Sequence, residues 1–364
     1  MKIAFVGSKG LPAVFGGIER HVEEIGRRLV HRGHAVTVFG RKPFSTGGEY
    51  QGMQVRLMPS IPTKNLETAT NSLAATVCAL FEPFDIIHYH GIGPSLFCWI
   101  PVFSRKTTVA TIHAPDYRQV KWGRIARTLL RLGERTAARH ADAVVAVSRL
   151  MSRELGGLYG REITYIPNGA TLYDQPPFER ARELGLESGN YILTVGRFIF
   201  ERGFHTLLEA FREVDTDQRL AIVGDARFEE EYAAGLTKLA DERVIFPGHI
   251  SGPLLNELYA HCSFYVLPSL LEGLPISLIE AMSFARPVIV SDIPENLEVA
   301  EGIAMSFRRG DPGDLAGAIR RMLSMNGEEL ADLGERGRTR VEEEYTWERV
   351  TDSLESLYRA ALGS

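Results

Sequence analysis

Cysteine is scarce in this chain: three residues in 364, at Cys78, Cys98 and Cys262, with no CxxC pair. Each lies in an apolar stretch, which suits buried thiols in a reducing cytosol better than a disulfide framework or a cysteine zinc site. No run of about 18 apolar residues occurs, so no segment reads as a membrane span. The chain runs straight into a strand at Lys2 without a basic leader or a cleavage site, and a cytoplasmic protein, at most resting on the inner face of the membrane, is expected. A basic excess is also missing: 41 Lys and Arg stand against 46 Asp and Glu, a formal net charge of −5. Nucleic-acid binding therefore has no bulk electrostatic support. The first glycine-rich loop is not GxGxxG, neither half has a Walker lysine, and the second strand runs into Gly40-Arg41 without an acidic residue for a ribose. A dinucleotide cofactor is not expected.

What is present is the composition of an ordinary globular protein, 45% hydrophobic and 24% charged, long enough for two domains. Short apolar runs at Lys2–Gly7, Ala35–Gly40, Asp85–His90, Val109–Ala114, Ala141–Ser148 and Ile163–Pro167 read as buried strands. A second series follows at Tyr191–Gly196, Arg219–Gly224, Arg243–Pro247, Phe264–Leu267, Val288–Ser291 and Ile303–Ser306. Helical stretches such as Ile18–Arg32, His205–Val214 and Leu315–Leu323 have the length that parallel crossovers need. The reading is an α/β chain of two Rossmann-like domains, 1–171 and 190–345, joined by the polar, proline-bearing linker 172–189. Residues 346–364 place Val350, Leu354, Leu357 and Tyr358 at helical spacing, and this helix is expected to pack back on the first domain. Ligands of open α/β sheets bind beyond the strand carboxyl ends, so a site in a cleft between the domains is expected.

The run Glu272-Gly-Leu-Pro-Ile-Ser-Leu-Ile-Glu280 sets two carboxylates eight residues apart around a helix start, with Pro275 suited to the first helical position. A phosphate beside Gly273 and Leu274 would meet the helix N-terminus while the carboxylates accept from hydroxyls. A capped helix with an acidic loop residue is the other reading of the same run. Strand Tyr191–Gly196 leads into Arg197 and Arg202, whose forked guanidinium groups suit phosphate oxygens; surface pairing with Glu201 or solvent is the alternative. In the first half, Gly16 and Gly17 open a helix, His113 follows a strand, and Asp116 and Asn168-Gly169 lie at the same edge. His88 and His90 end a neighbouring strand, with no carboxylate or cysteine nearby to complete a metal site. Asp215 and Asp217 follow a helix rather than end a strand, and no metal is assigned to them.

Taken together these residues resemble the retaining glycosyltransferases of family 4, which have the GT-B fold, over essentially the whole chain. The Glu272-to-Glu280 run is the specific match. Gly16-Gly17 resembles the family's first-loop glycines, His113 its active-site histidine, Arg197 and Arg202 its diphosphate-binding basic pair, and Asn168-Gly169 its strand-end turn. The opening Gly7-Ser-Lys-Gly-Leu-Pro with Phe15-Gly-Gly-Ile-Glu19 looks like the rhamnosyltransferase-like branch of bacterial polysaccharide assembly. Two departures stand out: Arg202 where relatives usually have lysine, and His113-Ala-Pro-Asp-Tyr where they more often have His-Gly-x-Asp-Trp.

The resemblance implies a nucleotide-diphosphate sugar as donor and a glycan or lipid-linked acceptor, with no metal and no cofactor. It gives Glu280 the nucleotide ribose, Glu272 the sugar hydroxyls, the backbone from Gly273 to Pro275 the sugar and phosphate, and Arg197 with Arg202 the departing diphosphate. His113 would meet the donor sugar or phosphate, and Glu19, Asp116 and Asn168 would lie on the acceptor or sugar side. An epimerase or hydrolase on the same fold, or a non-catalytic sugar-nucleotide sensor, are the competing functions. The segment 121–135 has Trp122, Ile125, Leu129 and Leu132 along one helical face and Arg124, Arg127, Arg131 and Arg135 along another. Such a helix either packs its apolar face on the sheet or lies on an anionic membrane.

Overall fold

Strands that are apolar on both faces need cover on both sides, and this chain meets the need twice with parallel sheets and crossover helices. In the computed structural model, which describes all residues except 15, 64, 65, 105, 227–229 and 364, the chain divides into two compact units. One is Met1–Asn168 with Trp347–Ser364, the other Gly169–Thr346. The first contains β1 (Lys2–Val6), β2 (Ala35–Arg41), β3 (Gly48–Tyr50), β4 (Met53–Met58), β5 (Ile86–His90), β6 (Thr107–Ile112), β7 (Ala143–Ala146) and β8 (Thr164–Tyr165), in the order β3-β4-β2-β1-β5-β6-β7-β8. The second contains β9 (Tyr191–Val195), β10 (Arg219–Val223), β11 (Val244–Ile245), β12 (Phe264–Leu267), β13 (Val288–Ser291) and β14 (Met305–Phe307), in the order β11-β10-β9-β12-β13-β14. All pairings are parallel except that of β3 with β4.

Both sheets therefore reverse their winding beside the first strand, between β1 and β5 and between β9 and β12. Crossovers leave in opposite directions at such a point, and the crevice outside the strand carboxyl ends is where ligands settle. Each strand expected from the sequence is present, with ends moved by no more than two residues. The β3–β4 hairpin is an addition. Gln51 and Gly52, at φ 50° and 78°, make its turn, the positive-φ pair that matches strand twist.

The first core gathers Ile87, Tyr89, Ala110, Ile112 and Val144 beneath Ala75, Ala79 and Ala137. The second gathers Ile192, Phe204, Leu207, Phe211, Ile222 and Ile319. Each large side chain so buried contributes about 1.5–3 kcal/mol. The C-terminal helix Trp347–Gly363 belongs to the first unit: Trp347, Val350, Leu354 and Tyr358 are buried, while Leu357 is half-buried. Its polar edge pairs with the end of the first helix, Gly17–His31, and the residues just after it: Glu348 with Arg28, Asp352 with Arg32 and Glu355 with Arg32 and His34.

Of the two orientations open to the helix Arg124–His140, apolar face packed on the sheet or turned outward, the fold adopts the second. The helix buries Gly133, Glu134, Thr136, Ala137 and Ala138, and leaves Ile125, Leu129 and Leu132 at 80%, 49% and 47% exposure. Close approach decides the choice: a Cβ on Gly133 would sit 2.1 Å from the Ile92 carbonyl oxygen, so only the small-residue face fits against the chain after β5.

Candidate active site

In the second unit, β9 ends at Val195, and the chain passes the exposed Arg197 into a single 3₁₀ turn, Phe200–Arg202. Gly203 follows at φ 68°, where a Cβ would lie 2.0 Å from the Pro268 carbonyl oxygen. This contact, with the Leu270 N–H donating to Glu201 O at 2.8 Å, seats Arg202 beside the loop that leaves β12. Glu272, in that loop and 7% exposed, forms an ion pair through Oε1 with Arg202 Nη1. The same oxygen accepts from the fully buried Ser269 hydroxyl at 2.7 Å. Burial, and then the neighbouring Arg197 charge, draw the Arg202 pKa down to about 10, which leaves it a cation at neutral pH.

The next helix is Ile276–Ser283. Pro275 sits one position earlier than expected, as the cap at φ −77° and ψ 105°, with Gly273 and Leu274 buried before it. No side-chain cap closes the helix and no acidic residue occupies its first turn, so its positive end remains suited to an anion. Glu280 lies inside the helix, where Oε2 accepts from the Tyr259 hydroxyl at 3.2 Å. Tyr265 braces the same surface through Ser277 Oγ at 2.9 Å. The unit thus brings Arg202, Ser269 and Glu272 together at one strand edge and sets Glu280 on the adjoining helix.

In the first unit, the chain after β1 folds over the start of the Gly17–His31 helix, with Gly16 at its cap position. Glu19, 5% exposed, accepts from the Lys9 N–H at 2.9 Å, and Glu23 accepts from the Ala13 N–H at 2.6 Å. Glu19 therefore holds the loop in place, a structural duty that its expected acceptor-side position did not include. Phe15 of the same motif lies outside the described residues. Asp116 opens a short 3₁₀ turn and accepts from Gln119 Nε2 at 2.7 Å.

His113 follows β6 at 9% exposure, and its Nε2 lies 3.3 Å from His90 Nδ1. His21 meets the His113 ring edge-on at 4.8 Å between centroids, and its Nδ1 lies 3.0 Å from the Oδ1 of the buried Asn168. Asn168 thus directs its side chain to a histidine of its own unit. His88 has partners at both ring nitrogens, Tyr358 Oη at 2.6 Å and Thr111 Oγ1 at 2.7 Å. Burial lowers all four imidazole pKa values, His21 to about 4 and the others well below the usual range, so the rings are neutral at neutral pH. Among the described residues, His21, His90 and His113 form a group with one ring nitrogen each within 4.8 Å of the others. The sequence reading builds no metal site from His88 and His90; the fold adds partners to His90 that lie far off along the chain.

His21 and Ser269 are the members that sequence reasoning missed. A signal existed for His21, which shares the apolar stripe of Ile18, Val22, Ile25 and Leu29 on its helix. Asp215 and Asp217 lie exposed in a loop after a helix and join no group of three ligand-bearing side chains among the described residues. Among those residues no helix is long and apolar enough to cross a membrane.

Two family models divide the chain between them: Glycosyltransferase Family 4 over residues 15–172 and Glycosyl transferases group 1 over residues 177–340. The D-inositol 3-phosphate glycosyltransferase of Geodermatophilus obscurus is 30% identical, over 95% of this chain and 85% of that protein. The O-antigen chain mannosyltransferase C of Escherichia coli is 27% identical over the whole of both chains. Among solved structures, the sucrose-phosphate synthase of Thermosynechococcus elongatus superposes with a TM-score of 0.86 at 22% identity, covering 100% of this chain and 99% of that one. Anabaena HepE in complex with UDP-glucose superposes at 0.83 with 21% identity, covering 99% of this chain and 100% of that one. None of these relatives supports the rhamnosyltransferase-like branch. With two Rossmann-like sheets of matching order and relatives that span its length, the chain is a GT-B glycosyltransferase and belongs to glycosyltransferase family 4.

Proposed function

We propose that this enzyme moves a sugar from a nucleotide-diphosphate donor to a glycan or lipid-linked acceptor, with retention of anomeric configuration and without a divalent cation. The observation that carries the reading is the Arg202–Glu272–Ser269 array beside the uncapped helix that contains Glu280. Arg202 and Ser269 both engage Oε1 of Glu272, so Oε2 is the atom assigned to a sugar hydroxyl. Glu280 is assigned to the nucleotide ribose. Arg197, Arg202 and the N–H groups of the Ile276–Ser283 helix stabilise charge that grows on the diphosphate as the glycosidic C–O bond breaks, which is where electrostatic stabilisation lowers a barrier. The acceptor oxygen attacks from the face the diphosphate leaves, and a diphosphate oxygen takes its proton. His113 of the first unit is assigned to the donor sugar or its phosphate.

A thermal-shift series with UDP-, GDP- and dTDP-sugars selects the donor, because a ligand at 100 times its dissociation constant stabilises the fold by about 2.7 kcal/mol. Transfer with that donor is then followed after exhaustive chelation. Sustained activity with a retained anomer is expected; an inverted product, or abolition by EDTA with recovery on magnesium or manganese, overturns the corresponding part.

The outward face of the Arg124–His140 helix supports a membrane-bound acceptor. Its exposed Ile125, Leu129 and Leu132 alternate with exposed Arg124, Arg131 and Arg135, and the β5–β6 connection adds exposed Trp99, Val102 and Phe103. Apolar side chains inserted among basic ones suit an anionic bilayer surface. Binding to anionic vesicles at low salt, lost on charge reversal at Arg124, Arg131 and Arg135, is expected; no binding would leave this face without a membrane role.

A further inference from the structure

We propose that His21, His90 and His113 form a site for one borderline-soft divalent cation of the zinc class, bound through three imidazole nitrogens with a fourth position open. The residues arrive from three separate elements, the Gly17–His31 helix, the end of β5 and the residue after β6, and converge to within 4.8 Å. Their ring centroids stand 4.8, 5.6 and 5.6 Å apart. For zinc–nitrogen bonds of about 2.0–2.1 Å, rings on three corners of a tetrahedron lie about 5 Å apart between centres, with neighbouring nitrogens about 3.3 Å apart. His90 Nδ1 and His113 Nε2 already have that spacing, at 3.3 Å.

A further observation points to a ligand. Asn168 Oδ1 accepts from His21 Nδ1–H, which leaves the lone pair on Nε2; an outer hydrogen bond of this kind is what orients metal-binding histidines. Phe5 meets His90 edge-on at 4.9 Å and Trp347 meets His21 edge-on at 5.6 Å, so aromatic neighbours restrict ring rotation. A donor set of imidazoles without carboxylates selects zinc, copper, nickel or cobalt over magnesium or calcium.

Resting on the role assigned to His113 above, the site has a consequence for catalysis: a bound cation takes a ring nitrogen of His113 and competes with the donor. The two claims are separable by spectroscopy. Co²⁺ titrated into the full chain is expected to give the intense visible bands of a four-coordinate ion, saturating at one per chain and displaced by Zn²⁺. His90→Gln should abolish them, and Asn168→Ala, which removes the outer hydrogen bond to His21 and leaves all three imidazoles in place, should weaken binding about 10–100-fold. Circular dichroism checks that each variant folds; if His90→Gln does not, Asn168→Ala decides. Absence of the bands, or bands unchanged in the folded variants, overturns the site. One equivalent of Zn²⁺ should also slow transfer and EDTA should restore it; Co²⁺ bands with undiminished transfer overturn the competition. Bands in a chain that transfers no sugar from any donor would sink the transferase reading and leave the cation site standing, whereas transfer without bands does the reverse.

Discussion

At the reversal between β9 and β12 the second unit keeps a charged pair, Arg202 with Glu272, whereas at the matching reversal between β1 and β5 the first unit packs His21, His90 and His113 as neutral rings. The strand order is shared, and the electrostatic solutions are opposite. A guanidinium cannot shed its proton near neutral pH, so burying it requires an acid within reach, and Glu272 supplies one. An imidazole gives up its charge when buried, so three can lie together without a counter-ion. The sheet places the crevice; the side chains decide whether it presents fixed charge or lone pairs.

The largest expected effect is at Arg202. Arg202→Ala should lower transfer about 10²–10³-fold, the scale of a lost oxyanion contact at about 2.7–4 kcal/mol, and should also destabilise the unit by leaving Glu272 buried without its cation. Arg197→Ala, at an exposed position, should lower transfer and leave stability unchanged. The double variant should lose less transfer than the sum of the two, because the diphosphate shifts once the first grip is gone. Arg202→Lys should retain most activity. Urea unfolding beside single-donor kinetics reads both quantities, and equal stability losses in the two alanine variants would erase the distinction between the arginines.

Glu280→Ala should chiefly weaken nucleotide binding, by about 1.5–3 kcal/mol, whereas Glu272→Ala should lower turnover more than affinity. Calorimetry with the free nucleoside diphosphate separates them; equal losses of affinity would refute the assigned roles.

The first unit is tested at Tyr358, whose hydroxyl contacts His88 Nδ1 at 2.6 Å. Tyr358→Phe strands a buried ring nitrogen and should destabilise by about 1–3 kcal/mol, with donor affinity unaltered. A normal unfolding midpoint would show that this contact contributes nothing.

The smallest effect concerns the pairing of the C-terminal helix. The hydrogen bond from His34, with the Arg32 guanidinium after it, holds the Glu355 carboxyl below the usual glutamate range. A depressed folded pKa adds stability that is present above the unfolded value of about 4.3 and is lost as pH falls through the folded one. Glu355→Gln should therefore cost about 1 kcal/mol at pH 7, and the difference from wild type should vanish in acid. A difference independent of pH would assign the loss to packing.

The β/α alternation and the placement of Glu280 inside a helix were legible because they rest on local rules, periodicity and helix starts, which a short window contains. The β3–β4 hairpin is equally local: Met53, Val55 and Leu57 alternate with polar residues after Gln51-Gly52, a weaker signal than the continuous apolar runs of the buried strands. The orientation of the Arg124–His140 helix was left open by its amphipathic pattern, which suits a sheet-packed or an outward apolar face alike. Gly133 and Ala137 allow the closer contact, and the outward apolar face follows from that fit.

By itself, then, the sequence determined two parallel sheets with glycine-rich loops, the acidic run at 272–280 and the basic residues at 197 and 202. Only the tertiary structure decided that Ser269 and Arg202 share one oxygen of Glu272, that Glu19 and Asn168 serve their own unit, and that His21 joins His90 and His113. The physical reason is distance along the chain: local rules reach a few turns of helix, whereas residues 21, 90 and 113 meet only after crossovers set their strands and helix in register.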